Sequence, residues 1–177
     1  MRIKQLLFCF AFILISCNEE IPLLKQKIFF EKHYVNMAWI PQSTGFLIDS
    51  LGILREFSWV EVSHNWYDPD STGHVSSVDM DKNISYCQPG DIIIQQDTLK
   101  KYVDEIYAAS KGTISMPEHV MADAGITTYS AFIFNEKTNQ YKQVLLKTDG
   151  DISITNSSPA AVDIYQWMKR IGNQSAL

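Results

Sequence analysis

Three short segments late in the chain constrain the fold most. Residues 128–134, 141–147 and 151–155 are strand-like runs rich in β-branched and aromatic side chains, separated by polar turns at 135–140 and at Thr148-Asp149-Gly150. Connections this short cannot carry a strand over the sheet to a parallel neighbour, so the three runs are expected to form an antiparallel meander. An earlier pair repeats the pattern. The apolar run 45–48 leads through Asp49-Ser50-Leu51-Gly52 into residues 53–62, where Phe57 and Trp59 share one face and Val60 and Val62 the other. That is the signature of a β-hairpin. Residues 28–40 have a mixed pattern that fits either a strand or a short helix.

Two segments read as amphipathic helices. In the first, Asp97 stands at the cap position, Leu99, Tyr102, Val103, Ile106 and Tyr107 follow at helical spacing, and Gly112 closes the run. In the second, Ser158 and Pro159 open a helix that places Ala161, Ile164, Tyr165, Met168 and Ile171 on one face and stops at Gly172. Strands in hairpins with too few helices to alternate predict an α+β fold, an antiparallel sheet with two main helices packed on it. The chain's 177 residues suit a single core. With 46% hydrophobic residues it is neither disordered nor fibrous, and its net charge of -5 without a basic stripe argues against nucleic acid as a partner.

The N-terminus reads as an address. Arg2 and Lys4 precede ten apolar residues, 6–15, which is about half of what a membrane-spanning helix needs. The following Leu14-Ile15-Ser16-Cys17 resembles the lipobox of bacterial lipoproteins. The resemblance implies that residues 1–16 are a signal peptide and that the Cys17 thiol carries a diacylglycerol, with acylation of the new amine. Residues 17–27 then form a lipidated tether, and residues 28–177 one globular domain. Two or three acyl chains hold a protein on a bilayer stably, at about 0.8 kcal/mol per buried methylene. The acidic domain would be repelled by anionic headgroups, so the anchor must lie in the lipid. The expected location is the cell envelope, on the outer membrane, with the face left open. Cys9 departs with the signal and Cys17 is lipidated, which leaves Cys87 without a disulfide partner.

Residues 63–91 form a long polar stretch, where recognition surfaces are often found. Trp66 and Tyr67 are its candidate binding residues. Its middle resembles an EF-hand loop, with Asp68, Asp70 and Thr72 at positions one, three and five, Gly73 at six, Ser76 at nine and Asp79 at twelve. The resemblance implies calcium, because hard cations need several oxygens and a glycine tightens the loop around them. The same residues also suit a plain turn. Gly73-His74-Val75 and Cys87-Gln88-Pro89-Gly90-Asp91 resemble fragments of cell-wall thiol peptidases of the NlpC type, but in a different order, so no catalytic role is carried over. His33, His64, His74 and His119 lack zinc-site spacing.

The leading expectation is therefore a lipid-anchored envelope module that binds a protein or a glycan without catalysis. The alternatives are an envelope hydrolase using Cys87 with a histidine, or paired carboxylates such as Asp79 with Asp81 or Asp149 with Asp151, and an immunity or inhibitor lipoprotein.

Overall fold

A computed structural model describes residues 26–38, 40–60 and 65–174. The signal segment, Cys17 and all of the tether but its last two residues lie outside the described residues. In chain order the elements are β1 (Ile28–Asn36), β2 (Gln42–Asp49), β3 (Ile53–Val60), β4 (His74–Ser76), α1 (Ser77–Ser85), β5 (Gln88–Ile93), α2 (Gln96–Ala109), β6 (Glu118–His119), β7 (Ile126–Asn135), β8 (Gln140–Gly150), β9 (Ile152–Thr155) and α3 (Pro159–Gln174). They build an antiparallel sheet in the order β5-β3-β2-β1-β7-β8-β9-β6, with β4 paired to β8. The β2–β3 hairpin and the β7–β8–β9 meander form as their sequences predict. The mixed segment after residue 28 is a strand, paired with β2 on one side and β7 on the other.

The fold is α+β, but it carries three helices among the described residues, not two. The additional helix α1 lies inside the stretch that reads as a polar loop. Its apolar face is short, only Met80 and Ile84, which is too little for a periodic signal. What starts it is a reciprocal cap. The Asp79 N–H donates to Ser76 Oγ at 3.0 Å, and that hydroxyl donates back to Asp79 Oδ2 at 2.8 Å. The other helices also differ from expectation at their ends. Helix α2 starts at Gln96, so Asp97 sits in its first turn, where its charge favours the helix dipole, without capping it. Helix α3 runs past Gly172 to Gln174. Gly172 thus stands inside the helix, where a Cβ would lie 3.3 Å from the Phe46 ring. Among the described residues no helix is long and apolar enough to cross a membrane.

Both faces of the sheet are covered, and the strands divide their side chains between two cores. Phe46 and Ile48 point to the α2 and α3 side, where they meet Leu99, Tyr102, Ile106, Ile164, Trp167 and Met168. Leu47, between them, points to the α1 side with Val75, Met80, Cys87 and Tyr141. Each such side chain, fully buried, contributes roughly 1.5–3 kcal/mol. Strand β1 departs from strict alternation. Phe29 and Phe30 both enter the α2/α3 core, and the register with β2 shifts between Ile28 and Phe30. This bulge rephases the strand, so that Glu31 and His33 emerge on the α1 side.

Candidate functional site

On the α1 side, beyond the end of the core, lies a cavity of about 260 Å³ lined by His33, Ser43, Trp59, Asn65, Trp66 and Asp68 among others. Its floor is the sheet. His33 on β1 stands opposite Gly45 on β2, which stands opposite Phe57 on β3. Because Gly45 has no side chain, the His33 and Phe57 rings meet across it edge to face, with centroids 5.5 Å apart. A Cβ at Gly45 would fall 1.9 Å from the Lys32 carbonyl oxygen and 2.8 Å from the Phe57 ring.

The wall is the segment after residue 65, and α1 holds it. The Tyr67 N–H donates to Asn83 Oδ1, and Asn83 Nδ2 donates to the Tyr67 carbonyl, each at 3.0 Å. Asn83 is 2% exposed, so this clamp satisfies an amide that burial would otherwise penalise. Thus fixed, Trp66 stacks on Phe57 with centroids 4.1 Å apart and reaches Trp59 at 5.5 Å. Its indole N–H donates to Glu31 Oε1 at 2.8 Å.

The polar groups converge beneath the tryptophans. His33 Nε2 pairs with Ser43 Oγ at 2.8 Å, and its Nδ1 lies 3.5 Å from Asp68 Oδ1. Burial pushes the Glu31 carboxyl up to about 7, against the pull of His33 and the Trp66 hydrogen bond, with the Asp68 charge adding to the rise. Hydroxyl, imidazole and carboxylate thus stand in the order of an acid–base relay. Two features set them apart from one. The Asp68 side chain is 68% exposed, where a relay carboxylate is buried against its imidazole. Ser43 sits inside β2 with neighbours Val35 and Trp59 on both sides, so its backbone is committed to the sheet and not turned toward an oxyanion. The arrangement suits recognition: aromatic surface with hydroxyl, imidazole and carboxylate groups at fixed positions.

The sequence-derived candidates are distributed over several tasks. Trp66 lines the pocket, whereas Tyr67 faces α1, with the Lys82 ammonium 4.4 Å from its ring centroid. Of the calcium-like loop, Asp68 turns toward His33. Asp70 Oδ1 accepts from the Thr72 N–H, the Thr72 hydroxyl and the His74 N–H, which close a turn around Gly73. Those bonds hold the Asp70 carboxyl below its usual range, the Thr72 hydroxyl most of all. Ser76 and Asp79 form the cap of α1, and Asp79 also pairs with Lys82 at 2.9 Å. Among the described residues no group of three or more His, Cys, Asp or Glu side chains is placed to hold one metal ion. Cys87 is buried and its Sγ donates to the Asn83 carbonyl at 3.3 Å. Burial, then the nearby Glu31 charge, pushes its thiol up to about 12, opposite to what a nucleophilic cysteine requires.

Sequence reading alone missed Glu31, Ser43 and Asn83. The one signal available was the consecutive polar triplet Glu31-Lys32-His33 set between the aromatic residues Phe30 and Tyr34. No family model matches the chain, and neither a curated protein nor a solved structure matches it.

Proposed function

We propose that the protein is a lipid-anchored cell-envelope module, tethered through Cys17, which captures a protein or glycan partner at the tryptophan pocket and performs no catalysis itself. The observation that carries the binding reading is the convergence of Trp59 and Trp66 with His33, Ser43 and Asp68 around one cavity, held by the Asn83 clamp. Aromatic surface supplies affinity for the apolar face of a partner, and fixed polar groups supply orientation. The anchoring half rests on the signal-like N-terminus and its lipobox resemblance. An outer-membrane placement goes with it.

A photo-crosslinking side chain at Asn65, on the exposed rim of the pocket, tests the binding half in the producing cell. A discrete adduct with an envelope protein or glycan, lost in Asp68→Ala, is expected. No adduct, or one indifferent to Asp68, overturns it. The anchor is tested separately. Mass spectrometry of the native protein should show acyl mass on Cys17, and Cys17→Ser should release the protein from membranes; an unmodified thiol overturns that half alone.

A further inference from the structure

The opposite face of the sheet carries a second built cavity. Lys32 on β1 is in register with Phe46 on β2, and Phe46 with Glu56 on β3, so the three lie in one row on the α2/α3 side. The next row places Thr44 beside Ser58. An open cavity of about 470 Å³ lies over these rows, and Gly172 of α3 also lines it. That is within the size range of small-molecule sites. The row is ordered by charge: an ammonium, an aromatic ring, a carboxylate. Lys32 and Glu56 are half-buried, and among the described residues neither has an opposite charge within 4.0 Å. A desolvated charge normally finds a counter-charge, and here both charges face the same cavity.

We propose that this cavity binds a small zwitterion, an amino acid or a dipeptide, with its carboxylate on Lys32 and its amine on Glu56. Two strand spacings separate the row's ends by about 10 Å at Cα. The Lys32 ammonium reaches over Phe46, 5.9 Å from its ring centroid, while the Glu56 carboxylate leans the other way, beside Gly90 on β5. The two charges therefore stay apart, and a ligand of two residues, about 7 Å end to end, lies between them. Thr44 and Ser58 add hydroxyls beside the ligand's peptide group. Gly172 explains itself in this setting. A Cβ there would come 3.4 Å from Lys32 Nζ and 3.3 Å from Phe46, taking up space at the ammonium's end of the cavity.

The test is a titration of the full chain with alanyl-alanine, followed by amide chemical shifts. Saturable binding at about 1 mM or tighter is expected, weakened about tenfold or more when the dipeptide's amine is acetylated or its carboxylate amidated. Lys32→Met and Gly172→Ala should each weaken it to the same degree. Gly172→Ala also raises helix propensity, so its melting temperature should hold while binding falls. Absence of saturable binding up to about 10 mM overturns the proposal. So does equal binding of the acetylated dipeptide, or binding that survives both substitutions in folded protein.

Discussion

The Asn83 carboxamide and the Tyr67 main chain exchange two hydrogen bonds, donor to acceptor in both directions, at 3.0 Å each. A helix with almost no apolar face of its own thereby fixes the segment that carries Trp66 and Asp68. The structural value of α1 lies in this one buried amide as much as in Met80, and the shape of the tryptophan pocket depends on it.

Asn83→Leu keeps the branched outline with somewhat more bulk, but leaves the Tyr67 N–H and carbonyl without their Asn83 partners. The expected cost is about 2–4 kcal/mol, read from urea unfolding. Amide exchange at Tyr67 should accelerate in step. A loss below about 0.5 kcal/mol would mean that water replaces the clamp.

Glu31 gives the fold a pH dependence whose sign follows from its raised value. Below its ordinary 4.5 both folded and unfolded chains hold the proton; between 4.5 and about 7 only the folded chain does. This group's contribution to stability therefore falls as pH rises through that window and is level above it. Glu31→Gln keeps an oxygen for the Trp66 N–H and has no charge to bury. The variant should match the parent near pH 4.5 and exceed it by up to about 3 kcal/mol near pH 8. Thermal melts of both proteins across that range check it, and parallel curves would refute the assignment.

Gly45→Ala should be among the most damaging single substitutions. Its methyl would fall on a backbone carbonyl 1.9 Å away, in the middle of three paired strands, with no flexible side chain to yield. A loss of about 3 kcal/mol or more is expected from chemical denaturation. An alanine variant of near-parental stability would show that the His33–Gly45–Phe57 row yields to an added methyl group.

Cys87 should resist thiol reagents in the native state. With its thiol pushed up to about 12, the reactive thiolate is scarce near neutrality, and burial blocks access as well. Labelling mapped to Cys87 by peptide mass is expected to run about 100-fold or more slower than in denaturant. Fast native labelling would restore the thiol-hydrolase alternative.

How far the sequence could be read depends on where its information lies. The hairpin around Gly52 and the meander around Gly150 were legible because alternation and turn chemistry are local, and both glycines adopt the positive φ such turns demand, +80° and +119°. Helices α2 and α3 were legible through their apolar spacing, except at their ends. Helix α1 was not, because Asn83 does the work of an apolar residue and only its partner 16 positions away reveals this. The site was hidden for a related reason. Glu31, Ser43 and Trp66 are distant in sequence and meet only through the β1 bulge and strand register, which no local pattern encodes.

Strand alternation turns two adjacent residues, Lys32 and His33, away from each other into two different cavities, and the β1 bulge upstream decides which residue takes which face. A slip of β1 by a single position would send the Lys32 ammonium to the α1 side and the His33 imidazole to the α2/α3 side at once. Neither cavity can thus be retuned by sliding the strand. The two are interlocked through one peptide unit, and any change to one must come from the side chains or loops around it.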